Sequence, residues 1–206
     1  MRKTSHMPTA VPATLLIADG LIVIANSSLD PMGGMPFEVM GGPPGMEMPK
    51  PKHKTGDYRI IIGDEVEENE ARLVARDSEL DLAWFRVTDA KGRTFPYLHI
   101  GDSTELQVGD AYFTIGRMPE RFNRVPVVLD GGVNGRITAP RTLLVATGGA
   151  GPVFAEDGKF AGFLIRQPDE DGDDAAGSLS QMTTQFILPA EELAKATQQA
   201  RKQSSD

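Results

Sequence analysis

The chain has 206 residues, 40% of them hydrophobic and 24% charged, and its 21 basic residues against 29 acidic give a net charge of −8. That balance excludes a membrane-embedded or wholly disordered chain, and it argues against nucleic acid and anionic membranes, whose phosphates require a basic face. The absence of cysteine removes disulfides, thiolate metal sites and cysteine nucleophiles together, and no run of about 20 apolar residues offers a membrane-spanning helix.

Residues 1–13 read as a tail. Ser5-His6-Met7 has the look of a tag-derived junction, and the basic opening lacks the apolar stretch of a secretory signal. The sequence carries no signal for a compartment. Leu15–Ile17, the turn Asp19-Gly20 and Leu21–Ala25 form a predicted hairpin. Residues 31–54 break the pattern: five Gly, six Pro and five Met fill 16 of 24 positions. Proline removes backbone donors and glycine raises the entropy lost on ordering, so this stretch is expected to be an insertion outside the strands. Strands resume at Tyr58–Ile62, Ala71–Ala75 and Leu82–Val87. After a link at 97–110, a second series follows at Ala111–Ile115, Val125–Leu129, Gly135–Ile137, Leu143–Ala146, Pro152–Ala155, Phe160–Ile165 and Gln185–Leu188. The acidic run Asp169–Asp174 is expected to be a solvated loop.

Turn signals every 8 to 12 residues without helix between them indicate an all-β fold. One helix is expected, from Pro189 to about Lys202. Proline suits its first position, Glu191 and Glu192 face the positive end of the dipole, and Leu193, Ala196 and Ala200 form a narrow apolar stripe for docking on one barrel.

Three segments carry a resemblance. The first is Asp77-Ser78-Glu79-Leu80-Asp81-Leu82-Ala83 leading into an apolar strand. The second is Ile100-Gly101-Asp102-Ser103 through Val108-Gly109-Asp110, followed by Phe113-Thr114-Ile115-Gly116. The third is Gly151-Pro152-Val153 through Asp157-Gly158-Lys159, with Phe186-Ile187-Leu188-Pro189 entering the final helix. In this order they resemble the trypsin-like serine proteases of the HtrA/DegP type. The resemblance implies a trypsin-like fold of two β-barrels with a C-terminal helix: a first barrel over 14–96 carrying the insertion 31–54, a link at 97–110, a second barrel over 111–188, and the helix and tail at 189–206. Family members usually carry a PDZ domain after this part, so a larger parent protein is expected.

Such proteases need an imidazole base, an orienting carboxylate, a serine nucleophile and backbone donors for the oxyanion. By the resemblance, Asp81 stands at the carboxylate position. The histidine position, after the strand ending Ala25-Asn26, holds Ser27, and removing the 24-residue insertion leaves a family-like 30 residues between Ser27 and Asp81. The block Thr147-Gly148-Gly149-Ala150-Gly151-Pro152 places Gly149 where the serine belongs. A hydroxyl is no base near neutral pH and glycine has nothing to attack with, so no catalytic residues are expected and the chain reads as a pseudoprotease, a binding or assembly module for a protein or peptide. No cofactor is expected, and the sequence leaves the oligomeric state open. Two alternatives stay open. An active endopeptidase would use a rebuilt site, with Thr147 as nucleophile and His53 as base. A soft-metal protein would use Met32, Met35, Met40, Met46, Met48 and His53 as thioether-rich ligands for Cu(I), although methionine in such a stretch more often fills space or touches a partner.

Overall fold

The computed structural model describes residues 11–29, 58–63, 67–90, 92–166 and 185–203. The insertion 31–54, the acidic run 169–174 and His53 lie outside them. Among the described residues eleven strands and one α-helix follow in order: β1 Thr14–Ile17, β2 Leu21–Ala25, β3 Tyr58–Ile60, β4 Asn69–Asp77, β5 Leu82–Val87, β6 Ala111–Arg117, β7 Pro126–Ile137, β8 Leu143–Thr147, β9 Gly151–Ala155, β10 Phe160–Arg166, β11 Gln185–Pro189 and α1 Ala190–Gln203.

The first five strands make an antiparallel sheet of order β1-β2-β5-β4-β3, and the remaining six close into a barrel of order β10-β11-β8-β7-β6-β9. The sequences of β2 and β5, LIVIA and LAWFRV, are apolar almost throughout rather than alternating because both faces are covered. Ile22, Ile24, Ala83, Phe85 and Val87 point into one core with Ile62 and Phe95. Leu21, Val23, Leu82 and Trp84 point the other way, into a core shared with Phe160, Phe163 and Ile165 of β10 and with Leu193, Ala196 and Ala200 of α1. A third core, of Tyr112, Val133, Leu144, Val153, Leu164 and Ile187, fills the barrel.

The shared core decides where the helix goes. It lies against β10 and β11 and also against β4 of the first sheet, and the Trp84 indole N–H donates to the Thr197 hydroxyl at 3.2 Å in the buried interior. The helix therefore cements both units, whereas its stripe alone predicts docking on one. It starts at Ala190. Pro189, expected as its first residue, ends β11 opposite Gly162.

A second departure is β7. The sequence reads as two strands, Val125–Leu129 and Gly135–Ile137, but the structure has one strand of 12 residues. Its first half pairs with β6, its second half with β8, and a bulge lies between Val133 and Gly135. The glycine at 131 serves packing: a Cβ there would collide with the Tyr112 ring at Cζ. Between β5 and β6 the chain touches both the first sheet and the barrel, with Leu98 N–H on the Leu15 carbonyl and Thr104 N–H on the Phe160 carbonyl.

Candidate functional site

Asp81 sits at the entrance to β5, 3% exposed, with its backbone in the left-handed region at φ 52°. That conformation costs a non-glycine residue on the order of 1–2 kcal/mol, and it persists because the surroundings hold it. The preceding turn is closed by Leu80 N–H on the Asp77 carboxylate at 2.9 Å. The Asp81 carbonyl accepts from Asn26 N–H at 2.8 Å. One carboxylate oxygen accepts from Ser27 N–H at 2.6 Å, and the other accepts from the Ser27 hydroxyl at 2.9 Å and from Arg166 N–H at 2.8 Å.

The structure thus brings Ser27 and Asp81 together across 54 residues of sequence. Ser27 belongs to a short 3₁₀ turn, Asn26–Leu29, that continues β2. Because Arg166 ends β10, the Asp81 side chain also ties the first sheet to the barrel. The part played by Arg166 escapes a sequence reading, since a backbone donor leaves no signature in residue type.

Gly149 lies in the short connection between β8 and β9. Arg166 is paired with Gln185 across the β10–β11 ladder, and the Gln185 amide reaches the Gly149 carbonyl at 3.4 Å. The end of that strand pair therefore stands between the Asp81 corner and the Gly149 connection. Gly148 and Gly149 have φ of 87° and 90°, which side-chain-bearing residues rarely adopt. A Cβ on Gly149 would collide with the Thr114 hydroxyl oxygen and lie 2.8 Å from its methyl. Thr114, on β6, is fully buried and its hydroxyl has no partner among the described residues; nor has the side-chain carbonyl of Asn26.

Thr147, the fallback nucleophile, ends β8 and is exposed. Its hydroxyl accepts from the Asn134 amide at 3.3 Å, a group that takes no proton. The Thr147 and Gly148 carbonyls both lie 2.9 Å from the Tyr112 hydroxyl, whose single proton serves one at a time. Burial pushes the Tyr112 phenol up to about 12. His99, the one histidine among the described residues, is exposed and lies against Tyr97 with ring centroids 4.3 Å apart and planes tilted by 44°. It follows Leu98, which is bonded to the edge strand β1, while both Asp81 oxygens are taken by Ser27 and Arg166. His53 and the methionines of 31–54 fall outside the described residues. Among the described residues no three His, Asp or Glu side chains gather as a metal site, and no helix is long and apolar enough to cross a membrane.

Comparison with known proteins bears on this arrangement. A DegP-like probable periplasmic serine endoprotease of Bartonella henselae is 30% identical over 121 residues, covering 51% of this chain and 22% of that protein. The chain thus spans only a small part of the curated relative it matches. Two solved structures share the fold at 15% identity. The MamO protease domain of Magnetospirillum magneticum, in its apo form, gives a TM-score of 0.58 over 89% of this chain and 86% of that one. The HtrA-type protease AlgW, solved with a decapeptide, gives 0.57 over 92% of this chain and 51% of that one. The family model described as trypsin-like peptidase domain matches residues 44–163. That span is more than half of the chain and runs from before β3 into β10, so the protein belongs to the trypsin-like peptidase domain family.

Proposed function

We propose that this chain is a catalytically inactive HtrA-type homologue that binds a protein or peptide instead of cutting it. The observation that carries the reading is the occupant of the Asp81 carboxylate: a serine hydroxyl and two backbone N–H groups, with no imidazole. A serine hydroxyl does not accept a proton at neutral pH, so it cannot activate a nucleophile. Gly149, at the position the resemblance gives to the nucleophile, has no side chain. Loss of either member of such a triad leaves only the effects of binding and the oxyanion hole.

Binding is supported by the β6–β7 hairpin. Of the eight large apolar side chains that are exposed among the described residues, Ile115, Met118, Phe122, Val125, Val128 and Leu129 fall within residues 115–129. Arg117, Arg121 and Arg124 are interspersed with them, against the single Glu120. Exposed apolar side chains concentrated on one hairpin support an interaction there. In a chain of net charge −8 the basic hairpin favours a partner segment that combines apolar and acidic residues. Unfolded casein tests both halves. The protein is expected to bind it in a salt-sensitive manner without cleaving it, and Phe122→Ser with Val128→Ser is expected to weaken binding about tenfold, since each removes an exposed apolar anchor. Cleavage products in the same reaction would contradict the reading.

A further inference from the structure

The reading above places two losses at the site, the base and the nucleophile. We infer that Thr114 is a third and independent obstacle, a positioning residue that holds the β8–β9 connection in a form only glycine at 149 can take. The inference rests on the inactive-homologue reading for its meaning but on separate geometry for its support.

The Gly149 backbone aims its missing Cβ at the interior of the barrel rather than at solvent: the ideal Cβ would collide with the Thr114 hydroxyl oxygen and lie 2.8 Å from the methyl and 3.2 Å from the Thr114 Cβ. The oxygen and the methyl are both closer than van der Waals contact permits. Thr114 has little room to yield. It is fully buried in β6, its strand pairs there with both β7 and β9, and a β-branched side chain has few alternative rotamers. Its hydroxyl meets no hydrogen-bond partner among the described residues. A buried hydroxyl without a partner costs stability, so Thr114 cannot be explained as a polar contact of the fold; what its side chain does is fill the space beside the Cα of Gly149. The connection is also held by Tyr112 of the same strand, whose hydroxyl lies within bonding distance of the Thr147 and Gly148 carbonyls. A serine introduced at 149 would project into the Thr114 side chain of β6 unless the connection rearranged.

The consequence is that Ser27→His with Gly149→Ser does not rebuild the site by itself, because the new hydroxyl is aimed at Thr114. The test is thermal unfolding of a double-mutant cycle, with Gly149→Ala introduced into the native protein, into Thr114→Ala and into Thr114→Val. Thr114→Ala removes both atoms in the way, whereas Thr114→Val keeps the shape and discards only the hydroxyl. Gly149→Ala is expected to lower Tm by roughly 5–10 °C in the native protein and by a similar amount in the Thr114→Val background, from overpacking and the left-handed backbone together. In the Thr114→Ala background the loss is expected to be about half, because the backbone strain and the 3.2 Å approach to the residue 114 Cβ remain. Failure of Gly149→Ala to fold with threonine in place, and its recovery when Thr114→Ala is added, would be the same result in extreme form. If Thr114→Ala does not fold, Thr114→Ser, whose hydroxyl can rotate aside, replaces it. Equal losses in all three backgrounds would overturn the inference and leave the inactive-homologue reading standing, since that reading fails only if the unmodified chain hydrolyses peptide bonds.

Discussion

The two corners of the site have been treated in opposite ways. At Asp81 a buried polar network is complete: a carboxylate in a strained backbone conformation satisfies two N–H groups and a hydroxyl from both halves of the molecule. Around Gly149 the connection rests on glycine and main chain: glycines at 148, 149 and 151 have positive φ, the Gln185 amide and the Tyr112 hydroxyl bond only backbone carbonyls, and the Thr114 hydroxyl has no partner among the described residues. The contrast has a physical basis. A carboxylate that bridges β2, β5 and β10 holds the fold together whether or not an imidazole is present, so removing it harms the structure. Gly149, by the proposal the counterpart of the nucleophile, carries no side chain and so offers the fold no such bridge.

The sharpest way to break this comparison is Asp81→Ala, which leaves the part-buried Ser27 and Arg166 N–H groups without their carboxylate acceptor. At about 1–3 kcal/mol for each unsatisfied group, the loss is expected near ~4 kcal/mol, or roughly 10 °C in Tm, measured by calorimetry. A change under about 1 kcal/mol would mean that the corner is not structural.

Tyr112→Phe tests the other corner, where the phenol supports the β8–β9 connection. Its expected cost at neutral pH is about 1–2 kcal/mol, and it carries a pH signature. Burial raises the phenol from the ordinary 10.0 to about 12, so between those values the folded state keeps a proton that the unfolded chain has released. The corresponding stability is fully present below about pH 10 and is lost as pH rises towards about 12. Denaturant midpoints should therefore fall more steeply over about pH 10–12 in the native protein than in Tyr112→Phe, and parallel curves would remove Tyr112 from the account.

What the sequence made legible follows the same division. The runs LIVIA and LAWFRV announce two central strands because burial on both faces leaves them almost wholly apolar. Ser27 and Asp81 can be matched because their motif flanks a strand end and the insertion between them is compositionally distinct. The continuity of β7 between Leu129 and Gly135 is not legible, because a glycine at 131 that admits the Tyr112 ring is indistinguishable in sequence from one that interrupts a strand. The Arg166 amide and Thr114 escape for related reasons: the first is backbone, and the second is a β-branched residue in a strand, where its type is ordinary. The docking of α1 on both units depends on Trp84 and Thr197 meeting across 113 residues, which the helical stripe does not encode.

Smaller effects sharpen the contrast further. Ser27→Ala deletes the hydroxyl bond but keeps the residue 27 N–H on Asp81, so the expected loss is about 1 kcal/mol. A loss as large as that of Asp81→Ala would show that the hydroxyl rather than the amide frame holds the carboxylate. Thr147→Ala, at an exposed strand end, is expected to stay within about 0.5 kcal/mol of the native protein, and a larger shift in denaturant midpoint would assign that hydroxyl a structural role.

The central claim, that this member of the family does not cut peptide bonds, is tested most directly by treating the unmodified protein with a fluorophosphonate serine probe and locating any adduct by mass spectrometry. The account predicts no labelled peptide anywhere in the chain. A stoichiometric adduct accompanied by casein hydrolysis, with Thr147→Ala or His53→Ala abolishing the cleavage, would contradict it and relocate the active site to those residues.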